Sequence, residues 1–357
     1  MMSPRDLRQV FFVIAISIIC WTYIFPALNW PDEVYKLNRL PLDTHVYARI
    51  MTLIGPSECD VQTYPIGEAG FLSNTLRVGT DGPLGCYYVF KTINAALFLS
   101  LVLLGCFLLR NRQAQTSFFL AMIWPSIVFY SSSINQQTVF TVVSIFFVSR
   151  TLIANRVWPT LLFSVPLVLI DRSFIALTIF LSVLTLLKWR PRAAILMLFL
   201  AIVAIYVLRP YILGTSSAHL GLSAGVSVGD LSEQIKRYQD PIYISVALFA
   251  ISFVYLGGTN SLLGIGVDYL FVFLFVLTSI LKKSKNLELR VYLFALGVTY
   301  FLLIGIVPTL QTFRYYVFIM PAVIHFLLDN AARRRIYIGY SVSMSAIYLF
   351  IANALQV

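Results

Sequence analysis

Apolar runs of helical length, separated by short basic or polar turns, make up most of this chain. The first run, roughly Val10 to Leu28, follows Arg5 and Arg8. It is long and has no small-x-small cleavage site before Trp30, so it reads as a spanning helix and not as a leader. A second run covers about Tyr87 to Leu109 and stops at Arg110-Asn111-Arg112. A third covers about Ser117 to Tyr130, ahead of the polar Ser131–Gln137 turn, and a fourth reaches Arg150 to Arg156. A fifth ends at Asp171-Arg172, a sixth at Lys188-Trp189-Arg190-Pro191-Arg192, and a seventh near Arg209-Pro210. The runs are continuous, not alternating, which predicts helices and excludes barrel strands.

The basic turns orient the pattern. Placing the N-terminus, Arg110/Arg112, Arg150/Arg156, Lys188/Arg190/Arg192, Lys282/Lys283/Lys285 and Arg333–Arg335 on the cytoplasmic side is self-consistent. The Ser131–Gln137 turn, Asp171-Arg172, 209–240 and Gln311–Arg314 then face outward. Between Pro241 and Ile280 two apolar runs are interrupted by Gly257-Gly258-Thr259-Asn260, and two full crossings there reverse the side of the lysine cluster. One crossing plus a re-entrant element, with Gly264-Ile265-Gly266 in the broken part, restores it. The expectation is an all-α polytopic membrane protein with about eleven spans, within about ten to twelve. It forms a single domain over 1–357 with two larger outward loops, 30–86 and 209–240.

Composition agrees with that picture. Of 357 residues only 11% are charged, and the mean hydropathy is +0.84, a balance no soluble domain tolerates. The net charge of +11 lies in short turns, not on a basic face, so nucleic acid is not an expected partner. Cys20 and Cys106 fall in apolar runs as packing residues, while Cys59 and Cys86 share the first loop, where a disulfide stays open.

That loop is the exception to the pattern. Residues 30–86 hold seven of the chain's fifteen carboxylates, among them Asp32, Glu33, Asp43, Glu68 and Asp81. The outward face also collects Arg49, Arg77, Arg172, Arg209, Arg237 and Arg314, against the orientation bias. Ionisable residues at a membrane boundary are costly unless paired or used. For Arg172 the plain account is an ion pair with Asp171 or snorkelling; the functional one is that these arginines gather round an anion, since guanidinium grips phosphate through paired donors. Asp32, Glu33 or Asp43 then serves as the base that takes a proton from an acceptor hydroxyl. In the second loop, Asp230–Tyr238 carries a helix-start pattern and brings Lys236, Arg237 and Tyr238 to the same face. His45 and His219 have no metal-ligand spacing, His325 reads as a packing histidine, and Asp268 as a hydrogen-bonding residue within an apolar run. No P-loop, dinucleotide fingerprint, nucleophile elbow or zinc motif is present.

Five elements in order resemble the Wzy/EpsG-type polysaccharide polymerases, bacterial inner-membrane proteins of about this length. They are Asp43-Thr44-His45-Val46-Tyr47, Glu68-Ala69-Gly70-Phe71, Ile134-Asn135-Gln136, Arg172-Ser173 and Arg314-Tyr315-Tyr316-Val317-Phe318. Ala69, Asn135 and Arg172 stand where the family has proline, arginine and histidine. Pro31-Asp32-Glu33 also resembles the acidic first outer loop of the wider lipid-dependent glycosyltransferases of the polytopic GT-C type. The resemblance implies an inner-membrane enzyme with its site facing the periplasm. It would join undecaprenyl-diphosphate-linked repeat units by inverting glycosyl transfer, without a metal or other cofactor. Asp32, Glu33, Asp43, Arg172 and Arg314 are the expected catalytic set. Tyr47, Glu68, Arg77, Asn135, Arg209, His219, Lys236, Arg237, Tyr238 and Tyr315 are expected to bind substrate. The expected partners are the lipid-linked oligosaccharide, membrane lipid and a chain-length regulator protein. The alternatives are a transferase that moves one sugar from a polyprenyl phosphate, and a flippase of lipid-linked sugar. A flippase predicts charge along a path through both membrane halves and paired repeats, and neither is visible.

Overall fold

The computed structural model describes residues 4–23, 83–124, 127–128, 137–154, 156–171, 173–220, 287–306, 316–328 and 331–354. All regular structure among them is helical, and no strand occurs. The α-helices are α1 Pro4–Tyr23, α2 Pro83–Leu108, α3 Arg112–Met122, α4 Gln137–Thr151, α5 Trp158–Ser164 and α6 Leu167–Ile170. They continue with α7 Phe174–Trp189, α8 Pro191–Leu220 and α9 Leu287–Ile306. A 3-10 turn at Val317–Ile319 then leads into α10 Met320–Leu327, and α11 covers Ala331–Ala354.

Local chemistry sets the breaks. Asn111 caps α3 by accepting the Gln113 and Ala114 amides at 2.7 and 3.4 Å. The Gln115 amide donates to the Cys106 carbonyl at 3.1 Å, which occupies one of the acceptors left open where α2 ends and ties the α2–α3 corner. Val165-Pro166 separates α5 from α6, since proline has no N–H to continue the ladder. Before α7 the Asp171 carboxylate accepts the Ser173 amide at 2.8 Å, so Asp171 shapes the turn through its backbone neighbour.

The helices alternate in direction, and side-chain contacts gather the basic turns at one end of the assembly. Ser117 in the middle of α3 lies 3.4 Å from the His325 ring near the end of α10. Thr151, the last residue of α4, meets Tyr292 near the start of α9 at 2.8 Å. The Thr151 hydroxyl already donates to the Val148 carbonyl, so the Tyr292 hydroxyl is the donor in that pair. Lys188, at the end of α7, sits 5.3 Å over the Tyr292 ring, which also meets Phe326 of α10 and Phe180 of α7. Arg110/Arg112, Arg150, Lys188/Arg190, Arg290 and Arg333–Arg335 therefore share one end.

Short helices occupy the interior. From Thr116 to Met122 every residue of α3 is buried, as are most of α4 and half of α7. Phe118 stands edge-on to both Phe119 and Phe146, and Trp124 stacks on Tyr337 at 5.7 Å while the Tyr337 hydroxyl donates to the Leu120 carbonyl at 2.7 Å. Buried hydroxyls such as Thr116 and Thr299 donate back to carbonyls four residues earlier, which lets them sit among apolar neighbours. The outer helices turn apolar side chains outward, including Phe12 and Ile19 of α1, Phe107 of α2, and Leu196, Phe199 and Leu200 of α8. Among the described residues one helix, through Lys91–Leu108, is long and apolar enough to cross a membrane by itself.

At Gly105 a Cβ would lie 2.6 Å from the Phe118 ring, so α2 and α3 approach with only hydrogen between them. Phe118 is fully buried between two further rings and has nowhere to retreat. Gly105→Val is expected to destabilise the fold by about 1–3 kcal/mol through overpacking. Thermal unfolding of the purified protein checks this, and an unchanged midpoint would show that the two helices can separate freely.

Four sequence expectations are corrected. The third run does not continue to Tyr130 as one helix, because α3 ends at Met122 and Ile123-Trp124 turns before the helical pair 127–128. The seventh run does not stop at Arg209-Pro210. Helix α8 carries on to Leu220, so Arg209 and His219 are helix positions and not the beginning of the second loop. Pro210 forgoes one backbone bond, a cost the flanking turns of a 30-residue helix absorb. The fifth run is two short helices, α5 and α6. The first loop does not reach residue 86, because α2 begins at Pro83 and Cys86 is a helix position; its remainder, 30–82, and the Pro241–Ile280 crossing lie outside the described residues.

Candidate functional site

Opposite the basic end, three helix starts come together. Phe140 in the first turn of α4 meets Phe174, the first residue of α7, with ring centroids 5.2 Å apart. Phe180 of α7 lies 5.0 Å from Phe318 of the 3-10 turn, and Phe318 is 6.2 Å from Tyr316. Tyr316 in turn packs against Tyr300 of α9 at 5.3 Å. Thr138, Ser173 and Tyr316 are all buried here. The Phe140–Phe174 pair joins the first turns of α4 and α7, and the 3-10 turn packs on α4 and, through Phe318 and Phe180, on the second turn of α7.

Each of those origins directly follows a turn that the sequence marks as functional. Asn135 lies three residues before Thr138, Arg172 is the residue before Ser173, and Arg314-Tyr315 immediately precede Tyr316. Asn135, Arg172, Arg314 and Tyr315 themselves lie outside the described residues. Their anchors are what the structure brings together. Asp32, Glu33, Asp43, Tyr47, Glu68, Arg77, Lys236, Arg237 and Tyr238 also lie outside the described residues, as do His45 and Asp268. Arg209 and His219 sit ten positions apart on α8, about 15 Å along its axis, so they do not form one contact point.

Two polar residues not singled out in the sequence sit in the same half of the assembly. Lys91 is 2% exposed and Asn94 fully buried, three positions apart on one face of α2, which packs against α4. Both have interaction partners. A lysine within an apolar run is a signal readable from sequence, because a charge in that setting needs a use or a partner. The surrounding Tyr87, Tyr88 and Phe90 disguise it as an interfacial residue at the edge of the run.

At the basic end the fold forms a separate, half-open polar pocket of about 230 Å³, lined by Gln113, Thr116, Ser117, Leu120, Ile324, His325, Leu328 and Arg334. His325 is thus more than the packing histidine that the sequence pattern suggests: its ring meets Ser117 and borders open space. Among the described residues no three His, Cys, Asp or Glu side chains cluster as metal ligands do.

Comparison of the chain with protein-family models, with curated proteins and with solved structures finds no match, so the reading rests on this chain's own residues.

Proposed function

We propose that the chain is a polytopic membrane glycosyltransferase that works on lipid-linked glycans. More narrowly, we read it as a polysaccharide polymerase of the Wzy/EpsG type, acting on the outer face of the bacterial inner membrane. The observation that carries this reading is that the first turns of α4 and α7 meet through Phe140 and Phe174 and that the 3-10 turn packs on α4, while Asn135, Arg172 and Arg314 lie within three residues of these three starts in the sequence. The collection of basic turns at the opposite end and the apolar outer surface of α1, α2 and α8 support a membrane setting.

On this reading Arg172 and Arg314 hold the diphosphate of the donor, one or both oxygens of each phosphate taking guanidinium donors. A carboxylate of the first loop, Asp32, Glu33 or Asp43, takes the proton of the acceptor hydroxyl. The acceptor oxygen bonds to the anomeric carbon as its bond to the lipid diphosphate breaks, so the configuration inverts and the diphosphate leaves with the bonding pair. The arginines stabilise that growing charge, which is where an enzyme gains most from fixed cations. Tyr47, Glu68, Arg77, Asn135 and Tyr315 position the sugars, and Arg209, His219 and Lys236–Tyr238 extend the surface.

Deleting the gene is expected to collapse a ladder of surface polysaccharide to single repeat units, and plasmid-borne wild type to restore it. An unchanged ladder refutes the polymerase reading. A second reading, favoured by Pro31-Asp32-Glu33 at the start of the first loop, is transfer of one sugar from a polyprenyl phosphate. It predicts an intact ladder that lacks one side-branch sugar.

A further inference from the structure

The half-open pocket at the basic end is walled by three helices and lies away from the half of the molecule where the outward turns are anchored. Three elements wall it: α3 through Gln113, Thr116, Ser117 and Leu120, α10 through Ile324 and His325 with Leu328 just after it, and α11 through Arg334.

Its hydrogen-bonding character follows from where the protons go. Thr116 donates to the Arg112 carbonyl at 2.7 Å and Ser117 to the Gln113 carbonyl at 3.0 Å, so both hydroxyl protons are committed to the helix. Ser117 can then only accept in its 3.4 Å contact with His325, which puts the proton of that contact on Nδ1. The first amides of α3 are taken by Asn111, so the pocket does not draw on a helix N-terminus. The Arg334 guanidinium and the Gln113 amide are the donors that remain for a guest, and no described carboxylate lines the pocket. Leu120, Ile324 and Leu328 form an apolar wall beside them. A fixed cation and an amide next to an apolar wall suit a phosphate that carries an apolar tail.

We propose that this pocket binds a single anionic phosphate group at the basic end of the assembly, with Arg334 and Gln113 as its ligands and the leucine and isoleucine side chains against whatever the phosphate is esterified to. The chemistry is shared by a phospholipid headgroup and by free phosphate, and the apolar wall favours the lipid. The proposal does not depend on the polymerase reading.

The test uses the purified full-length protein in dodecyl maltoside, titrated separately with dihexanoyl phosphatidic acid, inorganic phosphate and dihexanoyl glycerol. Binding is read by native mass spectrometry and by the thermal midpoint. Phosphatidic acid is expected to bind at one saturable site. Arg334→Glu is expected to weaken it about tenfold, and Gln113→Ala about threefold, in line with loss of a charged and a neutral donor. Arg335→Glu, an exposed neighbour with the same charge change, is expected to leave affinity within about twofold. Equal binding of inorganic phosphate keeps the phosphate site and makes its source soluble. Equal loss in Arg334→Glu and Arg335→Glu reduces the effect to general surface charge and overturns the proposal. So does binding of dihexanoyl glycerol as tight as that of phosphatidic acid, or no saturable binding at all. Gln113 is exposed in the first turn of α3, so its variant gives an answer even where Arg334→Glu does not fold.

Discussion

Arg314→Ala is expected to lower glycan polymerisation by about 10²–10³-fold, the loss that follows when one fixed stabiliser of a developing charge is removed. Arginine at that position is separated from the buried Tyr316 by a single residue, and Tyr316 is wedged between Tyr300 and Phe318. On the proposed reading Arg314 serves as a fixed charge, and preorganised charge has its advantage in not having to be ordered each time substrate arrives. Arg314→Lys keeps the charge and loses the paired donors, so it is expected to recover only part of the activity. The measurement is extension of a lipid-linked repeat unit by membranes carrying each variant at equal abundance. Wild-type extension by Arg314→Ala sinks the assignment of that residue, and the same assay on Arg172→Ala tests its proposed companion.

Phe318→Ala is expected to cost about 3–5 kcal/mol of stability, as large-to-small changes in a full core do. Phe318 is fully buried and touches Tyr316 and Phe180 in the second turn of α7, so it holds the 3-10 turn against α7. Phe318→Leu retains most of the volume and is expected to cost under about 1.5 kcal/mol. Thermal unfolding in detergent separates the two. If both variants unfold with the wild type, the ring cluster is not what holds the 3-10 turn, and the argument for a fixed Arg314 loses its structural basis.

The sequence shows helices plainly and tertiary neighbours hardly at all. Apolar runs bounded by Arg110-Asn111-Arg112 or Lys188–Arg192 announce where α2 and α7 end, because a charged turn cannot continue an apolar face. The same logic misplaces the end of α8: Arg209-Pro210 looks like a terminus, yet proline tolerates a helix interior when the turns on both sides are well formed. The interruption after α3 hides in an apolar stretch, since Ile123 and Trp124 fit a helix pattern and break it through backbone geometry. At the site, the separate importance of Asn135, Arg172 and Arg314 can be argued from charge and from resemblance. That the segments just after them pack together cannot, because Phe140, Phe174 and Phe318 are ordinary apolar residues until the helices are packed. Lys91 is the opposite case, a charge visible in the sequence whose burial on α2 becomes apparent only in three dimensions.

The shortness of α3 has a consequence of its own. Helix α3 has 11 residues and ends at described non-helical residues on both sides. At about 1.5 Å per residue it measures some 16 Å, well below the roughly 30 Å of hydrocarbon in a bilayer. In the proposed setting α3 therefore cannot cross alone, and the break at Ile123-Trp124 falls at membrane depth. A break in that position is tolerated only where protein covers it. Trp124, buried and stacked on Tyr337 of α11, supplies that cover and keeps the break away from lipid.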